Sequence, residues 1–316
     1  MGAFFHAVAV FFEHLADVRW DALGLALACH VVKLLLRARA WQNIVRAAYP
    51  QTRLRYRSAF GAYIAGVGVN SIAPARGGDL VKLYLVKHRA DGAKYPTLAS
   101  TLVVETIFDF FVAGALMIWA LSIGVLPTHQ VYSRIPAVDW KFFLRHERAT
   151  FWGLVIVAGA AVIGFFWART RIDEFWDRIK LGFAVFSDRR RLLLGVVLPQ
   201  AVSWVFRIAC LYFFLEAFHV HASIHNALLA QVVDSLATLF PATPGGAGTK
   251  QGLIVYLFRG QAISRSLLLA FSVGMNIAVT VANVVMGFIA IGLMAKTLSF
   301  KRLRQLSRRE QQEQPA

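Results

Sequence analysis

Arg76, Asp79 and Lys82 stand directly against an interruption, Pro74-Ala-Arg-Gly77-Gly78, in an otherwise apolar stretch that begins near Asn70. Proline removes a backbone donor and glycine accepts angles that no helix uses, so the helix must open there. The free N–H groups of a restarting helix, beside a guanidinium fork, make an anion site suited to phosphate. The competing reading has Arg76 and Lys82 reaching toward lipid headgroups, with Asp79 as a helix cap. A second interruption reads Pro241-Ala-Thr-Pro244-Gly245-Gly246-Ala-Gly248, with Lys250 close behind. Its backbone can approach a substrate closely, or it is a tight packing corner.

Glu105 and Asp109 are four residues apart in an apolar run, which puts both carboxylates on one helix face. Acids inside such a run are expensive and face a cavity or a cation. Two readings stay open: a structural ion pair with Arg76 or Lys82, and a proton-titrating pair that couples transport to a gradient. Arg207, flanked by Val205, Phe206, Ile208 and Ala209, cannot face lipid cheaply, and Asp234 lies in the next apolar run. Both are candidate headgroup or partner residues. Lys33 and His30 read as side chains reaching for the interface, and Asn70, Gln200, Gln231, Asn276 and Asn283 as interhelical hydrogen-bonding groups first. Cys29 and Cys210 lie inside apolar runs and make no disulfide or metal framework. No Walker loop, zincin, paired-cysteine motif or nucleophile elbow is present, so neither metal, cofactor nor ATP hydrolysis is expected.

The elements that must position these residues are membrane helices. The chain has 316 residues, 58% of them hydrophobic and only 16% charged, with a mean hydropathy of +0.56. Soluble domains carry about 25% charged residues. Candidate spans cover 20–36, 58–73, 97–126, 149–168, 192–218, 223–241 and 266–295, with short apolar helices at 79–88 and 250–259 after the two interruptions. The net charge of +17 collects between apolar runs, the positive-inside pattern rather than a nucleic-acid surface. Three segments follow: an interfacial helix over 1–19, a transmembrane domain over 20–296 and a basic cytoplasmic tail over 297–316.

The basic segment 37–57 and the residues Lys82, Lys87, Arg89 and Lys94 both belong on the cytoplasmic side, so the first interrupted segment enters and leaves on that side. The second, 223–259, must then begin and end outside if the tail is inside. The expectation is two inverted re-entrant hairpins.

In the elements Asn-x-x-x-Pro-x-Arg-Gly-Gly-acid (Asn70 to Asp79), Glu-x-x-x-Asp (Glu105, Asp109) and Pro-x-x-Pro-Gly-Gly-x-Gly (Pro241 to Gly248), taken in order, the chain resembles the transmembrane region of the lysylphosphatidylglycerol synthase, or flippase-like, family. The resemblance covers about 20 to 296. It implies movement of lipids, often with modified headgroups, between leaflets, without the soluble synthase domain some members carry. Asp79 stands where that family usually has Glu, Thr106 where an Arg is common, and Lys250-Gln251 where an acid usually follows. The last departure makes the second hairpin more cationic and favours an anionic substrate.

The expected protein is an all-α polytopic bundle of a bacterial inner (plasma) membrane, a non-enzymatic flippase for an anionic, phosphate-bearing lipid. Its partners are the membrane and that lipid, and no nucleic acid. The expected substrate-binding set is Asn70, Pro74, Arg76, Gly77, Gly78, Asp79, Lys82, Arg207, Pro244, Gly245, Gly246, Gly248 and Lys250. Glu105, Asp109 and Asp234 are the proton-coupling or ion-pairing acids. The rivals are a membrane-embedded lipid glycosyl- or aminoacyl-transferase and a non-catalytic scaffold of a lipid-synthesis complex.

Overall fold

The computed structural model describes residues 17–52, 54–73, 77–90, 92–123, 179–239, 249–259 and 261–297, and among these it is helical with no strand. The elements are α1 (Trp20–Ala48), α2 (Tyr56–Asn70), α3 (Gly77–Lys87), α4 (Tyr95–Ser122), α5 (Arg189–Ala217), α6 (Ile224–Leu239), α7 (Thr249–Leu257) and α8 (Arg265–Thr297). The expected interfacial helix and the expected span at 149–168 lie outside the described residues, except for the short stretch from Asp17.

Among the described residues three helices are long and apolar enough to cross a membrane: Tyr95–Ala120, Arg189–Ala217 and Arg265–Met294. Helix α1 is as long as α5, at 29 residues, yet it carries His30, Lys33, Arg37 and Arg39 along its length. The expected span ended at 36. The helix instead continues to Ala48, because its buried stripe of Leu34, Ala38, Trp41 and Val45 keeps a helical period through the charges.

Helices α1 and α5 form an antiparallel spine. The Arg19 amide donates to the Ala217 carbonyl at one end (2.9 Å), and the Asn43 amide donates to the Gly195 carbonyl toward the other (2.7 Å). That second contact has a covalent origin. Pro199 has no N–H to return to Gly195, so the carbonyl is left open in a π turn at Leu193–Val197, and Asn43 satisfies it.

On this spine sit two antiparallel hairpins that open at opposite ends. In the first, α2 and α3 touch backbone to backbone. A Cβ on Gly78 would collide with the Gly66 carbonyl oxygen, so only glycine permits this approach. Helix α8 crosses α2 just as closely, where a Cβ on Gly68 would sit 2.7 Å from the Gly287 Cα and the reverse holds equally. In the second hairpin, Asn226 pairs with Gln261 at the open end and Asp234 with Lys250 near the tip. Helix α2 has 15 residues and α3 has 11. At 1.5 Å per residue they rise roughly 22 and 16 Å, short of a bilayer's hydrocarbon thickness of about 30 Å. Their tip meets mid-length residues of the long helices, because Asn283 of α8 bonds both Ser71 and His30.

One end of the bundle gathers Arg39, Arg46, Arg55, Arg57, Lys87, Arg89, Lys94 and Arg189 to Arg191, while the other end mixes Arg19, Arg259 and Arg265 with Asp17, Asp21 and Glu216. One apolar core, around Trp41, Ile64, Val86 and Leu98, lies toward the basic end. A second, around Phe214, Phe258 and Phe271, lies toward the other. The ionic groups lie between these two cores.

Candidate functional site

Among the described residues two ionic clusters occupy the middle of the bundle, and their charge balance differs. In the first, Arg37 of α1 grips Asp109 with both terminal nitrogens (3.0 and 2.7 Å) and touches Glu105 at 3.2 Å. Lys82 of α3 donates to the other Glu105 oxygen at 2.7 Å, and its ammonium stands 4.1 Å from the centres of both the Trp41 and Tyr63 rings. The Tyr63 hydroxyl donates to Glu105 (2.7 Å) while accepting from Arg37 (2.9 Å), and the Trp204 indole donates to Asp109 (2.9 Å). Two cations face two carboxylates, each charge is hydrogen-bonded, and the Lys82 and Glu105 side chains are only 5% and 6% exposed. This is the form in which buried charge is tolerated.

The second cluster is not balanced. Asp234 of α6 bridges Arg207 of α5 (2.7 Å) and Lys250 of α7 (2.5 Å), and Arg207 also donates to Gln231 (2.7 Å) and stacks over Trp204. Lys33 of α1 lines the same cavity, and among the described residues no carboxylate lies within ion-pair distance of it. Its ammonium donates instead to Nδ1 of His30 (3.0 Å), and Nε2 of His30 donates to the Asn283 amide oxygen (2.8 Å), which assigns a neutral imidazole with its proton on Nε2. Among the described residues, three cations therefore face one carboxylate around a cavity of about 90 Å³ that also touches Cys210, Met275 and Asn276.

The chain of hydrogen bonds continues out of this cavity. The Asn283 amide donates to the Ser71 hydroxyl (3.1 Å), which donates to the Val67 carbonyl. The tip of the first hairpin is thereby tied to the wall of the cavity that the second hairpin closes.

Of the residues singled out in the sequence, Arg207, Asp234 and Lys250 come together, and Gln231 and Asn276 join them. Glu105, Asp109 and Lys82 also come together, in the other cluster. Asn70 acts within the first hairpin: its carbonyl oxygen accepts from the Gly78 amide (2.7 Å) and its amide donates to Asp79 (3.0 Å), stitching the restarted helix α3 to the end of α2. Gly77 opens α3. Pro74, Arg76, Pro244, Gly245, Gly246 and Gly248 lie outside the described residues.

Two readings change. His30 is 3% exposed and Lys33 lines an interior cavity, so neither reaches an interface. Arg37, counted with the loop charges, is inside because α1 carries it past the expected boundary to the two acids of α4. Their spacing was the available signal: His30, Lys33 and Arg37 stand at i, i+3 and i+7, one face of one helix.

Comparison with known proteins fits this architecture. A sequence profile of the lysylphosphatidylglycerol synthase transmembrane region matches residues 3–287. A UPF0104 membrane protein of Methanothermobacter thermautotrophicus is 22% identical over 299 residues, covering 85% of this chain and 82% of the relative. A UPF0104 membrane protein of Methanocaldococcus jannaschii is 19% identical over 201 residues, covering 60% and 79%. No solved structure matches. With three membrane-length helices among its described residues and a match over nearly its whole length, the chain belongs to the family of the lysylphosphatidylglycerol synthase transmembrane region.

Proposed function

We propose that this membrane protein is a flippase, a carrier that moves an anionic, phosphate-bearing lipid between leaflets. The observation that carries this reading is the excess positive charge of the second cluster: among the described residues, Lys33, Arg207 and Lys250 against the one carboxylate of Asp234. Holding an uncompensated ammonium in an apolar interior is costly, and an anion entering the cavity removes that cost. The cavity of about 90 Å³ admits water-sized atoms, and its cationic lining suits the oxygens of a phosphate group. The phosphate binds inside while the rest of the headgroup and both acyl chains stay outside.

In this reading the basic end faces the cytoplasm, α1, α4, α5 and α8 cross a plasma membrane, and the two short hairpins re-enter from opposite faces to meet beside the cavity. A broken element at the midplane, approached from both sides, suits alternating access. The acids of the first cluster are held by cations and tie α1, α3, α4 and α5 into one frame, which favours a carrier over a transferase needing a free acid and base.

The test is reconstitution in phosphatidylcholine liposomes with trace fluorophore-labelled phosphatidylglycerol, read by the fraction that an impermeant quencher reaches. Wild-type protein should raise that fraction from half toward completion. Lys33→Gln should slow the movement about tenfold to a hundredfold, as expected when one charge-assisted hydrogen bond to the phosphate is removed. Equal rates for wild-type and protein-free liposomes, across phosphatidylglycerol, phosphatidic acid and a polyprenyl phosphate, would overturn the reading.

A further inference from the structure

A second feature lies away from both ionic clusters. Between the first half of α2 and the last turns of α8 runs an apolar groove of about 550 Å³, open to the side of the bundle and walled by Phe60, Ile64, Met286, Ile289 and Leu293. Its floor is made by a small residue: a Cβ on Gly61 would stand 2.8 Å from the Met294 sulfur, so glycine lets α8 sink against α2. Ile289 and Leu293 are 57% and 64% exposed, and Phe288 beside them is 65% exposed, so this face of α8 is turned outward.

The groove is not uniformly apolar. At the basic end of the bundle its lining includes Arg57, the second residue of α2, and Arg89, just past the end of α3. Arg89 also donates to the Met294 carbonyl at 3.3 Å, which fixes it beside the last turns of α8. From Met286 to Met294 α8 rises about 12 Å, less than the roughly 15 Å of hydrocarbon in one leaflet. Two guanidinium groups at one end and an apolar wall behind them that fits within one leaflet match a single kind of occupant.

We propose that this groove is a binding site for a phospholipid of the leaflet at the basic end, with its phosphate against Arg57 and Arg89 and one acyl chain laid between α2 and α8. Charge selects this occupant over the chain's own C-terminal tail. Lys301, Arg302, Arg304, Arg308 and Arg309 carry the same sign as the rim and outnumber the tail's two acids, Glu310 and Glu313. A second copy of the chain would likewise bring arginine to arginine at this end. The site does not depend on the transport reading: it holds a lipid whether or not the cavity moves one.

The full-length chain is reconstituted in phosphatidylcholine vesicles containing a few mole per cent of phosphatidylglycerol with a photoactivatable diazirine midway along one acyl chain. After irradiation the adducts are mapped by peptide mass spectrometry. Adducts should concentrate on 60–64 and 286–294 above the outward faces of α4 and α5. Ala290→Trp, which fills the groove from its α8 wall, should abolish that concentration while thermal stability stays at wild-type level. Arg57→Gln removes one charge-assisted hydrogen bond and should lower the labelling about tenfold, and Arg57→Lys should restore part of it. Lys33→Gln, in the central cavity, should leave it unchanged. Adducts spread evenly over all outward helix faces, labelling indifferent to Ala290→Trp, or protection of the groove in a cross-linked dimer through α8 would each overturn the assignment.

Discussion

At the scale of single residues, the two ionic clusters predict opposite outcomes for the same kind of substitution. Glu105 neutralises both Lys82 and Arg37, so Glu105→Gln leaves excess buried positive charge. Breaking a buried pair in this way costs about 3–5 kcal/mol, so the variant should lose melting temperature in detergent, and Lys82→Met added to it should recover part of the loss. Lys33 has no carboxylate within ion-pair distance among the described residues, so Lys33→Gln removes an uncompensated cation. That variant should hold or raise its melting temperature while lipid movement falls. A Glu105→Gln protein as stable as wild type would show that the first cluster is not the frame described above.

At the scale of elements, the glycines divide by what surrounds them. The Gly66 and Gly78 backbones leave no space for a methyl group, and the obstacle is a carbonyl that cannot swing aside. Gly78→Ala should therefore cost about 1–3 kcal/mol or more and splay the first hairpin, seen as lower thermal stability and faster amide exchange in α3. At Gly24, in the first half of α1, an added methyl group would have nothing within 4 Å of it. Gly24→Ala should stabilise by about 0.5–1 kcal/mol, because alanine gives up less backbone freedom in a helix. If the two substitutions behaved alike, the close approach of α2 and α3 would be wrong.

Most of these elements were legible beforehand. Helices expected at 58–73, 79–88, 192–218, 223–241, 250–259 and 266–295 are found at 56–70, 77–87, 189–217, 224–239, 249–257 and 265–297. Long apolar runs, punctuated by proline and paired glycine, fix such boundaries locally. Helix α1 is the exception, because charges mark the end of a span in lipid, whereas here a partner helix receives them.

At the scale of the whole molecule, the gathering of arginine and lysine at one end predicts the orientation. In a Cys29→Ala, Cys210→Ala background, single cysteines replacing Tyr56 and Asp91 should both react with an impermeant thiol reagent from the cytoplasmic side. Cysteines replacing Ala222 and Ala262 should both react from the outside. The two hairpins open at opposite ends of the α1/α5 spine, so each pair must share a side and the pairs must differ. Labelling of positions 56 and 91 from opposite sides would contradict the hairpin.

The sequence by itself determined the membrane class, most of the described helices and the burial of Glu105, Asp109, Arg207 and Asp234. Those follow from composition and from spacing along the chain, which act locally. Only the tertiary structure decided which charges meet. The sequence left Glu105 and Asp109 open between an ion pair with Arg76 or Lys82 and a proton-titrating pair; the fold sets Lys82 against Glu105 and adds Arg37, because α1 lies against α4. The sequence set Lys33 at an interface, and the fold places it among Arg207, Asp234 and Lys250, residues from α5, α6 and α7. An ion pair needs contact within about 4 Å, and contact between helices some two hundred residues apart depends on their packing. Excess charge is likewise a property of the assembled cavity and belongs to no single helix.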